Sequence, residues 1–385
     1  MEQHSPMHGG NLNRLAESYG VDPAALIDFS TGINPLGFPQ NLRTLVEQAL
    51  EHVAAYPDPG YEALREALAE ASGRPPGQIA VGNGSSELLL ALIRAMRPPL
   101  VITLMPSYID YFLYSGRLGI PVREIALNKE NGFSPEYDVI TPVLDSSPPG
   151  ALFILGDPNN PTGRLLPPGL LHCLAERHPQ LFFCVDEAYK GFTSSCGEQP
   201  PSYLPNILSL HSLTKLFAVP GIRMGYLYGD ETLMSKISND LPVWNVGAIP
   251  EHLARALLRD NSHGAETLKW LNRTKPVYYE KLAEFPSLKA YPSDANFLLF
   301  QLKGKDEKVF YEAMIKRGIV LRACDDFENL ERGFFRTSIR LKQDNERLFE
   351  ALRDVLGSIS KPVRQSKSML RPSCFRAPLP MRVNP

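Results

Sequence analysis

The nine residues LFFCVDEAY, Leu181 to Tyr189, run from a continuously apolar stretch straight into two carboxylates. An apolar run of this length suits a strand buried on both faces, as in a parallel sheet covered by helices. An acid at the carboxyl end of such a strand stands where open α/β sheets bind their ligands. Taken alone, Asp186 and Glu187 read equally well as loop or helix-capping acids. The chain on either side repeats the same texture. IAVG (79–82), LVITLM (100–105), VREIAL (122–127), ALFILG (151–156), ILSLHS (207–212) and MGYLYG (224–229) alternate with helical patterns and turn signals. That alternation predicts an α/β fold. SSELLLALIRAM (85–96) has the apolar spacing of a helix, with a serine to cap its start.

Past about residue 255 the pattern changes. One long helix is predicted over roughly 251–285, followed by the strand NFLLFQL, the helix KVFYEAMIKRG, extended IVLRAC and FFRTSIRL, and the closing helix NERLFEALRDVLGSI. This reads as a smaller α+β domain. The expected organisation is residues 1–54 as a segment contributing to the small domain and the active site, 55–255 as the large domain, and 256–360 as the small domain. Residues 361–385 carry six Lys or Arg and no acid, and read as a flexible or loosely docked tail.

Composition narrows the class. With 385 residues, 43% hydrophobic and 21% charged, the chain has the make-up of a globular protein long enough for two domains. A formal net charge of −2 offers nothing to draw nucleic acid or an anionic membrane. The five cysteines, Cys173, Cys184, Cys196, Cys324 and Cys374, contain no C-x-x-C pair, which argues against a zinc site or disulfide framework and fits a reducing compartment. The first residues lack the apolar core of a signal peptide, and no apolar run reaches membrane-spanning length. A cytoplasmic protein without a bound metal is the expectation.

Three further segments carry chemistry. GNGSSE (82–87) precedes a helix and offers backbone N–H groups, hydroxyls and a helix dipole to an anion. It is not a dinucleotide fingerprint, because Glu87 stands where the third glycine of that motif belongs. GDPNNPTG (156–163) follows a strand and forms a rigid turn. SLTKLFAVPGIRMGY (212–226) sets Lys215 beside Ser212 and Thr214, with Arg223 eight residues on.

In this order and spacing the four segments resemble the fold-type I pyridoxal phosphate enzymes, the aspartate aminotransferase superfamily, over roughly residues 30–355. The resemblance implies a large three-layer α/β/α domain with a mainly parallel sheet, a smaller α+β domain, and pyridoxal 5′-phosphate as cofactor. It implies that Lys215 forms the Schiff base with the cofactor, a step that needs the neutral amine. Asp186 would pair with the pyridine nitrogen, Asn160 and Tyr189 with the ring oxygen, and Tyr108 would stack on the ring. Ser85, Ser86, Ser212, Thr214 and Arg223 would hold the phosphate, joined by Tyr56 from the partner subunit of a homodimer. Arg336, in FFRTSIR, would take a substrate carboxylate.

Within that superfamily HGGN (8–11), DFSTGINPLGFP (28–39), LRAC (321–324) and NERLFEALRDVL resemble the threonine-phosphate decarboxylases of cobalamin biosynthesis. The likeness implies a small phosphorylated amino acid as substrate, with His8, Asn34 and Arg322 beside Arg336 in its pocket. Thr31 and Gly32 depart from that family's pattern DFSANINPLG, which leaves threonine phosphate and serine phosphate both open. A histidinol-phosphate-type aminotransferase is the main alternative, and a non-catalytic regulator on the same fold a weaker one.

Overall fold

The computed structural model describes residues 9–194 and 204–358. His8, Cys196, Cys374 and the 361–385 tail lie outside the described residues.

The apolar runs assemble into a seven-stranded sheet. From edge to edge its order is Ile79–Gly82, Gly225–Tyr228, Ile207–Ser212, Phe182–Asp186, Leu152–Gly156, Val101–Met105 and Val122–Ala126. Only Gly225–Tyr228 runs against the others. Both faces of the sheet are covered, which explains why central strands such as Val101–Met105 and Leu152–Gly156 are buried throughout rather than alternating, whereas the edge strand Val122–Ala126 keeps Arg123 and Glu124 half-buried. Leu152, Ile154, Cys184 and Leu210 pack into one core beneath the helix Ser85–Met96, while Phe153, Leu155 and Phe183 pack into another on the opposite face.

A second, antiparallel sheet runs Arg322–Ala323, Phe334–Ser338, Phe297–Leu302 and Leu288–Ala290. The helices Asn261–Ala283, Glu307–Lys316 and Lys342–Ser358 bury their apolar stripes against its core. Near the N-terminus, Ile27–Asp28 pairs in parallel with Ile319–Val320 and ties that segment to this sheet's neighbourhood.

Three local expectations are corrected. The helix expected over 251–285 is two, Ala248–Leu257 and Asn261–Ala283. They separate where the Asp260 carboxylate accepts from the N–H groups of Ser262 and His263, a side-chain cap that competes with continuing the helix. IVLRAC is not one strand, because Ile319–Val320 and Arg322–Ala323 pair with different partners. The helix Ser85–Met96 has no side-chain cap: Gly84, at φ +83°, is its N-cap residue.

Phe335 is 2% exposed and packs its ring against Phe300 and Phe310, 5.6 and 5.1 Å away. Phe335→Ala leaves a cavity the surrounding aromatics cannot close. It is expected to lower the stability of the domain by about 3–5 kcal/mol, measured by urea unfolding followed by circular dichroism.

Candidate active site

The sheet brings the separate motifs to one edge. Gly82, Met105, Gly156, Asp186 and Ser212 all end their strands on the same side, and Gly82 and Ser212 both pair with Gly225 of the reversed strand. The loops that follow carry Ser85 and Ser86, Tyr108, Asn160, Tyr189 and Lys215, so residues far apart in the chain share a single rim.

At one end of the rim the backbone forms a cup. A Cβ placed on Gly225 would lie 2.5 Å from the Ser85 nitrogen, and one on Gly84 would lie 2.4 Å from an Nη of Arg223. Two glycines are therefore needed for the guanidinium and the helix start to approach each other so closely. The first N–H groups of Ser85–Met96 have no side-chain cap and remain available to an anion. Ser212 and Thr214 face each other with hydroxyls 2.8 Å apart. Arg223 itself sits at φ +54°, a left-handed conformation that directs its side chain onto Gly84. Glu87, which spoiled the dinucleotide pattern, braces the loop: its carboxylate accepts from the Asn83 N–H and the Asn245 amide, each at 2.7 Å.

Asp186 is held at the floor. Its Oδ1 accepts from the Ala188 N–H at 3.0 Å and its Oδ2 from the Tyr111 hydroxyl at 2.9 Å. Burial pushes this carboxyl above the usual range, and those hydrogen bonds with the nearby Lys215 charge pull it back down. Tyr111 was not anticipated from the sequence, although its place three residues after Tyr108 on the same helical turn could have signalled it. Tyr108 meets Tyr111 edge to face at 5.7 Å, and burial raises its phenol, with Asp110 and Ser86 as hydrogen-bonding neighbours. Tyr189 packs against Phe297, with ring centroids 4.8 Å apart.

Opposite, Arg336 is 5% exposed. Its Nη1 donates to Asn160 Oδ1, its Nη2 donates to the Ser30 carbonyl at 2.5 Å, and its Nε has no partner among the described residues. Arg322 lies directly across from it on the neighbouring strand, so both side chains leave the same face. Arg322 pairs with Asp326 at 2.6 Å. Arg340 instead binds Asp344 and the Asp28 carbonyl, a structural clamp.

Asn34 and Tyr56 are both engaged within the chain. Asn34 is 2% exposed, and its Nδ2 bonds the Leu216 carbonyl at 2.8 Å and Thr267 at 2.7 Å, while its N–H bonds the Lys215 carbonyl. It fixes the lysine segment from behind instead of lining a pocket. Tyr56 is 78% exposed and stacks on Trp244 at 4.2 Å, so it takes no part in its own chain's cup. Gly9 and Gly10, next to His8, are docked on Ser30, with the Gly10 N–H on its hydroxyl.

All four rim segments lie within one family match. The model of aminotransferase class I and II matches residues 24–352. The chain belongs to that family. Threonine-phosphate decarboxylase of Salmonella typhimurium is 32% identical over 361 residues, covering 92% of this chain and 97% of that protein. The adenosylcobalamin biosynthesis bifunctional protein CobDQ of Leptospira interrogans is 30% identical over 94% of this chain, which spans only 42% of that relative's length. The solved histidinol-phosphate aminotransferase of Clostridium acetobutylicum superposes with a TM-score of 0.80 at 26% identity, covering 86% of this chain and 99% of that one. The fold is therefore that of the fold-type I transferases, and the cofactor is pyridoxal 5′-phosphate. The residues present fit it: the glycine-walled cup, with uncapped N–H groups and an arginine, suits a phosphate, and a buried carboxylate and a lysine stand further along the rim. No described helix is long and apolar enough to cross a membrane.

Behind the floor, Glu187 and His211 form a half-buried pair, Oε2 to Nε2 at 3.1 Å, with Tyr226 stacked on the imidazole. Burial pushes Glu187 up to about 7 and His211 down to about 3. The histidine therefore costs stability as the pH falls from about 6.5, where the unfolded imidazole gains its proton. The glutamate costs stability as the pH rises from 4.5 toward 7. The two oppose each other between 4.5 and 6.5.

Two outcomes follow from this geometry. Gly225→Ala closes the cup and should weaken cofactor binding by at least about tenfold, read by equilibrium dialysis, because a methyl would displace the helix N-terminus. His211→Gln removes only the acid-side cost, so its melting temperature relative to wild type should rise steadily as the pH is lowered from 6.5 to 4.5. Scanning fluorimetry across a pH series measures it.

Proposed function

We propose that this chain is a pyridoxal phosphate-dependent decarboxylase of an O-phosphorylated amino acid. L-Threonine O-3-phosphate, giving (R)-1-amino-2-propanol O-2-phosphate for cobalamin biosynthesis, is the leading substrate, and L-serine O-phosphate, giving ethanolamine phosphate, the second. The observation that carries this reading is the pair Arg322 and Arg336, directly opposite each other on one face. Asp326 already partners Arg322, while Arg336 keeps an Nε without a partner among the described residues, so this face offers guanidinium donors to a ligand with two anionic ends, such as the carboxylate and phosphate of a phosphorylated amino acid. The likeness to a threonine-phosphate decarboxylase along nearly its whole length supports the same substrate class.

Bound pyridoxal phosphate supplies the electron sink that makes loss of CO2 feasible. The chain supplies the rest. Lys215 is assigned as its covalent anchor and, once freed, is one candidate, beside a tyrosine or water, for returning a proton to Cα of the substrate. Ser85, Ser86, Ser212, Thr214 and Arg223 hold the cofactor phosphate. Asp186, braced by Tyr111, would face the ring nitrogen, and Tyr108 would cover the ring. Asn160 and Tyr189 address the ring oxygen, and the Asn160 amide has its Nδ2 to spend there because its Oδ1 is taken by Arg336. Arg336 takes the carboxylate through its unpartnered Nε and remaining donors. Arg322 and His8 take the substrate phosphate. Tyr56, exposed on its own chain, reaches the cofactor phosphate of a second copy, so the enzyme is assigned as a homodimer.

The fold likeness to a histidinol-phosphate aminotransferase keeps transamination as the second reading. With threonine phosphate and no keto acid present, a decarboxylase releases CO2 over many turnovers, whereas an aminotransferase stops after one equivalent.

Lys215→Ala should abolish CO2 release and let the cofactor dialyse away. Undiminished turnover in that variant would remove the assignment. Mixing and refolding Lys215→Ala with Tyr56→Ala should restore part of the activity, since one hybrid site then has both wild-type residues. No recovery would argue against a shared site.

A further inference from the structure

The loop Ser30–Asn34 is fastened to the rest of the molecule at almost every residue. The Ser30 carbonyl accepts from Arg336, the Thr31 carbonyl from Ser338, and the Gly32 carbonyl from the Asn296 amide at 3.1 Å. The Asn34 N–H reaches the Lys215 carbonyl at 3.0 Å. Loop backbone held at so many points cannot retreat to make room for a side chain. Yet a Cβ on Gly32 would lie 2.5 Å from Tyr189 Cε1, 3.1 Å from its Cζ and 3.0 Å from its hydroxyl oxygen. Nor can the tyrosine back away freely, because Phe297 stands against the ring in an edge contact at 4.8 Å and Phe192 lies beyond. Gly32 has no left-handed φ to explain the glycine, so the demand comes from the ring alone.

We propose that Gly32 is a positioning residue: by having no side chain it lets the Tyr189 phenol lie flush on the pinned loop and fixes where its hydroxyl points. To reach ordinary carbon–carbon contact with a methyl at residue 32, the ring must shift by about 1 Å. A misplacement of that size at a group addressing the reacting centre costs on the order of 100-fold in rate. The functional half of this inference rests on the proposed role of Tyr189 at the cofactor ring. The positional half does not.

The test is a pair of cycles on the full chain. In the cofactor-free protein, Gly32→Ala should lower the melting temperature in the wild-type background but scarcely at all beside Tyr189→Ala, which removes the ring. Equal losses in both backgrounds would overturn the proposal, and the cycle remains readable even if Gly32→Ala alone folds poorly. In the loaded protein, Gly32→Ala should move the pH midpoint of the cofactor's visible absorbance in the same direction as Tyr189→Phe, with nothing added in the double variant. A midpoint unmoved by Gly32→Ala but moved by Tyr189→Phe overturns the positioning role. If neither substitution moves it while the stability cycle shows coupling, Gly32 still positions Tyr189, and it is the assignment of Tyr189 to the ring that fails.

Discussion

The site depends on one close approach, that of the Gly225 backbone to the N-terminus of the helix Ser85–Met96. No other residue type fits there, because a methyl would occupy the space between the Ser85 nitrogen and the strand. The approach places uncapped helix N–H groups, the Arg223 guanidinium and two hydroxyls around one point. Donors preorganised in this way cost no rearrangement when an anion arrives. With the phosphate end located, the remaining rim residues fall at set distances along the sheet edge, and Asp186 and Lys215 lie further along it.

The second constraint is the fastening of the N-terminal loop. Asp28 turns it by accepting from the Ser30 N–H and hydroxyl and from Thr31. Arg336 and Ser338 then hold it from the antiparallel sheet, and Asn34 holds the lysine segment. The loop thus joins Arg336 and Ser338 of the antiparallel sheet to the segment that carries Lys215. Of the two arginines opposite each other across two strands of that sheet, Arg322 is compensated by Asp326, and Arg336 keeps an Nε without a partner among the described residues.

Much of this was legible in the chain. The buried strands could be named because burial on both faces leaves no polar alternation. The cofactor residues were named from the resemblance of four segments to the fold-type I family, and the structure brings the loops after those strand ends to one rim. Asn34 was placed in the pocket by the family resemblance, and the partners its amide has in the structure, Leu216 and Thr267, are distant in the chain. Tyr111 was passed over because its partner Asp186 lies 75 residues on. Ser85 was expected as a cap, but the helix begins on Gly84 and leaves its amides open.

By itself, then, the sequence determined the sheet and the order of the motifs, which rest on hydrophobic periodicity and on residue types at strand ends, and the identity of the cofactor through the resemblance of those motifs to the fold-type I family. Only the tertiary structure decided which side chains are occupied and which are available. It put Arg322 opposite Arg336, turned Asn34 inward, left Tyr56 outside its own cup and made Gly32 the floor beneath Tyr189. The physical reason is that hydrogen-bond partners and steric neighbours at this site come from both sheets and from the loop between them, and no local pattern in the chain carries that information.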